Sequence, residues 1–253
     1  MEPAAYLEMA RLQDEHWWFV GRRHILRRTI ASLHLPPAAR ILEVGAGTGG
    51  NLRMLGAFGQ VHAMEMDSFA LQYAARLAPD ADLREGSLPD VIPFPAASFD
   101  LICLFDVLEH VERDVEALRA LRRLAGERGQ LLLTVPAGQW LWSRHDERLH
   151  HHRRYSASTL SAAAREAGWF VNRLTHFNTL LFGLAVVGRY IDRLRRAETA
   201  TMGSEAPAPI VNALLTRVFA AEAGLLFAAN LPFGLSLMAL LSPHGQHAEA
   251  DAR

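Results

Sequence analysis

Residues 40–51, Arg-Ile-Leu-Glu-Val-Gly-Ala-Gly-Thr-Gly-Gly-Asn, decide the fold of this chain. The apolar run over 41–44 ends in closely spaced glycines, which is typical of a buried parallel strand that enters a tight turn. Gly45, Gly47 and Gly49 carry no side chain, so a ligand can approach the backbone closely there. The free N–H groups at the start of the following helix face the same place. The stretch therefore predicts the first half of a βαβ unit with a ligand-binding loop.

The ligand of this loop is open to three interpretations: a nucleotide, S-adenosylmethionine, or no ligand at all. Gly45-x-Gly47-x-x-Gly50 matches the dinucleotide fingerprint, and Glu65 lies at about the offset of a ribose-binding acid. Glu43 favours S-adenosylmethionine, because a carboxylate at the mouth of the loop repels a pyrophosphate but attracts an ammonium and a sulfonium group.

Strands and helices alternate along the next part of the chain, which predicts an α/β fold with a doubly wound parallel sheet. After the glycine loop, strands are predicted over 60–64, 81–85, 98–106, 129–135 and 169–177, and helices over 68–77, 113–124 and 156–167.

Two motifs resemble class I S-adenosylmethionine-dependent methyltransferases. The string Glu43-Val-Gly45-Ala-Gly47-Thr-Gly49 resembles their first motif, and the run over 98–111 resembles their fourth strand and the block that follows it. The resemblance covers roughly residues 40–176. It implies a Rossmann-like sheet and S-adenosylmethionine as the cofactor.

The resemblance also implies where the cofactor lies. Glu65 is expected to accept hydrogen bonds from the ribose hydroxyls, since a carboxylate offers two acceptors to a diol. Met66 is expected to lie against adenine, and Ser87 or the Leu88 backbone to read the adenine amino group. The predicted cofactor-binding residues are Glu43, Gly45, Ala46, Gly47, Thr48, Gly49, Asn51, Glu65, Met66, Ser87, Leu88 and Phe105.

The segment 136–155 is long for a connection between a strand and a helix, and long connections are commonly functional. Its pattern His-Asp followed by His-x-Arg-Arg-Tyr resembles a group of class I methyltransferases from bacterial biosynthetic clusters. A histidine there can take the proton of a substrate hydroxyl, because imidazole titrates near neutral pH. The catalytic candidates are His110, His145, His151 and Tyr155, and the substrate-binding candidates are Trp18, Trp142, Arg153 and Arg154.

Two other interpretations of this segment remain open. His145, Asp146 and His151 are competent metal ligands, but direct methyl transfer to a hydroxyl needs no metal, so none is expected. Alternatively, Asp146 and the arginines hold a structural turn.

The expected organisation is a set of N-terminal helices over 1–34, a methyltransferase core over 35–177 and an apolar helical extension with a tail over 178–253. The aromatic run 16–19 either docks the first helices on the core or belongs to a lid over the cofactor. The nearby arginines, Arg22 among them, are expected on a solvated face, with binding of an anionic substrate group as the alternative. Residues 203–209 are a predicted link, and 243–253 a predicted disordered tail.

The extension departs from the family, whose sheet ends in an antiparallel hairpin, because residues 179–190 look helical where the second strand is due. Residues 223–242 contain no charged side chain and are long enough to span a bilayer. A packed helical pair or homodimer interface, a membrane-surface hairpin and a span are the three interpretations.

Composition narrows the function further. A net charge of −1 gives no reason to expect a nucleic-acid partner, and the single Cys103 excludes an internal disulfide framework. With no signal peptide evident, the expected location is the cytoplasm, with peripheral contact at the inner membrane as a further interpretation.

The predicted function is methyl transfer from S-adenosylmethionine to a small-molecule or lipid-like acceptor, most simply O-methylation by in-line SN2 attack. The alternatives are an NAD-linked oxidoreductase and a catalytically silent S-adenosylmethionine-binding scaffold.

Overall fold

The computed structural model describes residues 3–195 and 207–244. Its helices are α1 (Pro3–Leu12), α2 (Trp17–Ala31), α3 (Leu52–Leu55), α4 (Ser68–Leu77), α5 (Asp114–Leu124), α6 (Arg144–Arg148), α7 (Ala157–Glu166), α8 (Phe182–Arg195) and α9 (Pro209–Ala228). Its strands are β1 (Ala39–Val44), β2 (Gly59–Glu65), β3 (Asp82–Glu85), β4 (Phe99–Phe105), β5 (Ala125–Pro136), β6 (Phe170–Phe177) and β7 (Ser236–Ser242).

These strands form one sheet in the order β3-β2-β1-β4-β5-β7-β6. The first five are parallel, and β7 runs antiparallel to both β5 and β6. The strand order reverses between β1 and β4, so a crevice opens at the carboxyl ends of these two strands. The prediction of a doubly wound Rossmann-like sheet is confirmed.

Helices cover both faces of the sheet. On one face, α5 and α7 bury Leu118, Leu121 and Leu160 against apolar residues of β4 and β5. On the other face, α2 and α9 bury Ile25 and Phe219 against the opposite side of the same strands. Since a parallel strand covered on both faces is apolar throughout, the uninterrupted apolar runs of β1 and β4 follow from this arrangement.

The expectation that the C-terminal extension lacks the second strand of the hairpin is wrong. Strand β7 pairs with β6 and lies between β5 and β6, so the helices α8 and α9 are an insertion within the hairpin. Residues 237–239 and Leu241 are buried, and a strand buried on both faces shows no alternation that would separate it from a helix in the sequence. The charge-free run over 223–242 therefore does not form a single span: α9 ends at Ala228.

Helix α9 is long and apolar enough to cross a membrane by length and composition, a criterion that core helices of soluble proteins also meet. Part of it is packed against the protein. Phe219 is fully buried, stacks on Phe177 with ring centroids 6.2 Å apart, and lies so close to Gly21 that a Cβ there would come within 2.6 Å of its ring. The opposite face exposes Ile210 and Leu214.

Residues 203–206 of the predicted link over 203–209 lie outside the described residues. So do residues 245–253 of the predicted tail over 243–253. The division of the chain at residues 34 and 177 stays a prediction.

The packing of α9 can be tested with two phenylalanines of the same helix. We expect Phe219→Ala to lower the free energy of unfolding by about 3 kcal/mol, because it leaves a cavity between α2, α9 and the sheet. Phe227→Ala should change it by less than about 0.5 kcal/mol, since that ring is 73% exposed. Urea unfolding followed by circular dichroism measures both. Equal, small effects would mean that α9 does not pack on the core in solution.

Candidate active site

A cavity of about 1510 Å³ lies at the carboxyl ends of β1, β2 and β4, under the N-terminal helices. The glycine loop forms one wall, and the segment after β5 and the start of α8 form the other. All predicted site residues line it except Gly49, Trp142, Arg153 and Tyr155.

The glycine loop is shaped by both its backbone and its neighbours. Gly45 has φ +71°, and a Cβ there would come within 2.5 Å of Val107. Gly47, at φ +54°, has only the sulfur of Met9 near its Cβ direction, at 3.5 Å. Gly49 instead lies against Ala74 of α4, so it serves the packing of the loop rather than the predicted contact with the cofactor.

Glu43 is the buried acid of this loop. Asn51 Nδ2 donates to its Oε1 at 2.7 Å, whereas its Oε2 has no hydrogen-bond partner among the described residues. Burial raises the pKa of Glu43 to about 7; the nearby charge of Glu65 adds to the rise, and Asn51 and Arg22 oppose it. An unpaired buried acceptor beside the loop fits a ligand that carries a charged donor, such as the ammonium group of S-adenosylmethionine.

Glu65 ties the loop to the end of β2. Its Oε2 accepts from the Gly47 N–H at 2.8 Å, and its Oε1 accepts from the N–H groups of Met66 and Asp67 at 2.9 and 3.0 Å. A carboxylate oxygen has two lone pairs, so Oε2 keeps one acceptor site for a ribose hydroxyl. Asp67 serves a different purpose, because it caps α4 by accepting from Ala70 N–H.

Helix α1 covers the glycine loop. The Tyr6 hydroxyl lies 3.4 Å from Glu65 Oε1, and Thr48 Oγ1 donates to Gln13 Oε1 at 2.8 Å. Burial, with the charge of Glu65 next, raises the pKa of the Tyr6 hydroxyl. A lid was one of the two interpretations from sequence, but neither Tyr6 nor Gln13 was named in it, since neither belongs to a motif.

Arg22 was expected on a solvated face, and that is wrong. It is buried, forms an ion pair with Asp106 at the end of β4, and stacks 4.4 Å from the ring centre of Trp18. Its Nε lacks a partner in the part of the chain that the structure describes. A buried guanidinium group with a free donor thus faces the same cavity as the unpaired Glu43 carboxylate.

Two histidines meet at the far end of the cavity. The rings of His110 and His151 lie edge to face with centroids 4.6 Å apart, and His151 Nδ1 is 2.9 Å from Asp146 Oδ1. Burial, followed by the neighbouring His151, lowers the pKa of His110 to about 4. Hydrogen bonds from His151 and Arg154 outweigh the burial of Asp146 and keep its pKa below the ordinary range.

Glu109 completes this group. It is 1% exposed, its Oε2 has no partner among the described side chains and backbone, and burial, then Asp106, raises its pKa. Sequence reasoning missed it because it named only His110 within the motif.

Besides Gly49, three predicted catalytic or substrate-binding residues lie outside the cavity lining. The Tyr155 hydroxyl is buried and donates to Asp114 Oδ2 at 2.8 Å. Arg153 pairs with the same carboxylate at 3.0 Å, and Trp142 is likewise absent from the lining. Arg154 does line the cavity, although its Nε donates to Asp146 at 2.7 Å. Asp146 and Arg154 thus tie the two ends of this segment together, and Asp146 also orients His151.

The remaining catalytic candidate, His145, is exposed on α6 and lines the outer wall of the cavity.

A switch point with a glycine loop, a buried acid near the end of β1 and a second acid at the end of β2 is the arrangement that the resemblance to class I methyltransferases implies. The comparison with known families agrees: a family model described as methyltransferase domain matches residues 17–173. The chain belongs to this family. The predicted family, and S-adenosylmethionine as its cofactor, are confirmed, and the NAD-linked alternative is set aside.

Relatives in sequence match parts of the chain. A dTDP-3-amino-3,6-dideoxy-alpha-D-glucopyranose N,N-dimethyltransferase of Streptomyces fradiae is 36% identical over 93 residues, 36% of each chain. A probable S-adenosylmethionine-dependent methyltransferase of Mycolicibacterium smegmatis is 26% identical over 164 residues, 63% of this chain and 62% of that one. These matches thus span between about a third and three fifths of the relatives' lengths.

Solved structures share the fold. The structure of a Haloferax volcanii methyltransferase complex with the activator Trm112 matches with a TM-score of 0.63 and 18% identity, covering 96% of both chains. A methyltransferase of Bacillus halodurans matches with a TM-score of 0.60 and 16% identity, covering 87% of this chain and 99% of that one.

The raised pKa of Glu43 predicts that this acid lowers the free energy of unfolding in a pH-dependent way. Its folded pKa of about 7 exceeds the ordinary 4.5, so between these values the unfolded chain releases a proton that the folded chain keeps. Stability is therefore lost as the pH rises, by up to about 3 kcal/mol above pH 7. We expect Glu43→Gln to stabilise the ligand-free protein at about pH 8 but hardly at about pH 5.

Thermal unfolding at both pH values measures this difference. A matched variant, Glu85→Gln, changes an exposed acid at the end of β3 and should have no pH-dependent effect. The same gain for Glu43→Gln at both pH values would contradict the assigned ionisation.

Proposed function

We propose that this protein transfers a methyl group from S-adenosylmethionine to a small-molecule acceptor. The observation that carries the proposal is the unpaired, buried Glu43 carboxylate beside the glycine loop, at one end of a cavity that continues to a histidine cluster. Pockets for one small ligand measure about 300–1,000 Å³, so a cavity of about 1510 Å³ has room for a cofactor and an acceptor.

Opposite charges in the cavity suit the amino-acid end of the cofactor. Glu43 Oε2 would accept from its ammonium group, and the free Nε of Arg22 would donate to its carboxylate. Glu65 would accept from the ribose, while Met66, Ser87 and Leu88 line the place expected for adenine.

When bound, S-adenosylmethionine supplies an electrophilic methyl carbon on a good leaving group. The protein has to align the acceptor and exclude water. We place the acceptor oxygen at the His110–His151 cluster, since both rings line the cavity and Asp146 fixes the orientation of His151. O-methylation by in-line attack is the reaction that we propose.

A nitrogen acceptor is a second candidate. The relative from Streptomyces fradiae is named as an N,N-dimethyltransferase of an amino sugar, and its match is the highest in identity among those described above. A buried carboxylate such as Glu109 would attract the cationic form of the amine and accept its proton, which the nitrogen must lose before it attacks the methyl carbon.

The acceptor end of the cavity also supports a lipid-like acceptor. Leu181, Leu184 and Ala185 at the start of α8 line it. Leu184 is at the same time 69% exposed, and Val187 next to it on α8 is 58% exposed. The apolar lining thus continues onto an exposed apolar surface, as expected of a protein that takes an apolar acceptor from a membrane surface.

The cofactor and acceptor assignments predict different consequences for two variants. We expect Glu65→Ala to abolish binding of S-adenosylhomocysteine, because it removes both the ribose acceptor and the anchor of the Gly47 loop. His151→Ala should leave this binding unchanged and lower turnover by about 100-fold. Titration calorimetry measures the first, and release of S-adenosylhomocysteine with a panel of hydroxylated aromatic, sugar and lipid acceptors measures the second.

Glu85→Ala is the control for Glu65→Ala, since the two acids are register partners on β3 and β2 and Glu85 is exposed. Unchanged affinity in a folded Glu65→Ala protein would remove the ribose assignment. Tight cofactor binding without turnover on any acceptor would favour a silent scaffold.

The apolar surface of α8 predicts membrane binding. We expect the protein to sediment with phosphatidylglycerol vesicles, and Leu184→Ser/Val187→Ser to remain in the supernatant, because the change removes the exposed apolar contact. Val91→Ser, which alters a 56% exposed residue on the connection after β3, is the control. No sedimentation of the unaltered protein would refute membrane contact. A homodimer in gel filtration that this double change dissociates would assign the surface to a second copy instead.

A further inference from the structure

We propose that Glu109, His110 and His151 form a binding site for one divalent transition-metal ion at the acceptor end of the cavity. One ligand atom from each of these residues lies within 4.8 Å of the others. The inference deepens the proposed function and rests on it, because the ion would bind the acceptor atom that receives the methyl group.

Both histidines are already oriented by a second contact. His151 Nδ1 lies 2.9 Å from Asp146 Oδ1, which leaves Nε2 as the ligand nitrogen. His110 hydrogen-bonds the backbone of His150, which fixes its ring in turn. A histidine held by a carboxylate or carbonyl through its other nitrogen is the usual arrangement around a protein-bound metal.

Glu109 supplies independent evidence that this place suits a cation. It is 1% exposed, and its Oε2 has no partner in the described ranges. The two nearby cations are engaged elsewhere, Arg22 with Asp106 and Arg154 with Asp146. A buried carboxylate oxygen without a hydrogen bond is unfavourable. A metal ion at this point would supply the charge.

The ligand types indicate which ion would bind. Two imidazoles with one carboxylate suit zinc, iron, cobalt or nickel, whereas magnesium and calcium prefer oxygen ligands. Three protein ligands leave at least one coordination position open, as in catalytic zinc sites with two histidines and a glutamate. Glu109, His110 and His151 all line the cavity, so this position faces the acceptor. An acceptor hydroxyl or amine can fill it.

This site differs from the one considered from sequence. His145, Asp146 and His151 are close in the chain, but the carboxylate of Asp146 binds Arg154 and orients His151 instead. The three proposed ligands come from the turn after β4 and from the segment after α6. Only the fold brings them together. The expectation that no metal binds was based on the reaction, since methyl transfer to a hydroxyl needs no metal, and not on these residues.

The test is metal binding by the untagged full-length protein after treatment with a chelator. We expect one Co²⁺ or Zn²⁺ per chain by equilibrium dialysis, with the Co²⁺ absorption bands of a low-coordinate nitrogen and oxygen site. Glu109→Gln and His151→Asn should each weaken binding by at least about 10-fold, because each removes one ligand. His24→Asn, which changes an exposed histidine of α2, should leave the affinity unchanged.

Calorimetry with S-adenosylhomocysteine on the same samples separates this inference from the proposed function. Cofactor binding without saturable metal binding would overturn the metal site and leave the methyltransferase proposal intact. Metal binding that either ligand variant retains at full affinity would equally overturn the site, since the ion would then lie elsewhere. Metal binding without cofactor binding would sink the proposed function while the ion-binding site stands.

Discussion

The hydrogen bond from the Gly47 N–H to the Glu65 carboxylate fixes the relation between the glycine loop and the end of β2. The loop can adopt this path because Gly45 and Gly47 have positive φ values. With the loop in place, Thr48 meets Gln13 and Tyr6 meets Glu65, so helix α1 closes over the same point. A single carboxylate thus organises the loop, the end of a strand and the lid.

Four of the acids at or near the cavity fall into two groups. Asp106 and Asp146 are each paired with an arginine, and these pairs hold the N-terminal helices and the segment after β5 in place. Glu43 and Glu109 each keep one oxygen without a partner among the described residues. An unpaired buried oxygen lowers the stability of the folded protein. Proteins keep such destabilising groups where activity requires them. The unpaired oxygens therefore mark the two ends at which ligands are expected.

Sequence reasoning found the features that depend on neighbours in the chain. The strand–loop–helix pattern around Gly45–Gly49 is local, and so are the acid after β2 and the motif that contains His110. It failed where long-range packing decides. Arg22 reads as part of a charged helix face, but the partner that buries it, Asp106, is 84 residues away. Tyr155 is a residue type that can act in catalysis. Only the fold shows that its hydroxyl donates a hydrogen bond to Asp114.

Helices α8 and α9 are inserted between β6 and β7. This insertion explains why the acceptor is harder to predict from the sequence than the cofactor. The cofactor wall is built by β1, β2 and β4 and the loops directly after them, so its residues lie in recognisable motifs. The wall that we propose for the acceptor combines the segment after β5 with Leu181 and Leu184. A helical insertion can change in length and composition without disturbing the sheet that holds the cofactor. The residues that we propose to meet the acceptor therefore lie in the segment after β5 and at the start of α8, for which no short sequence motif exists.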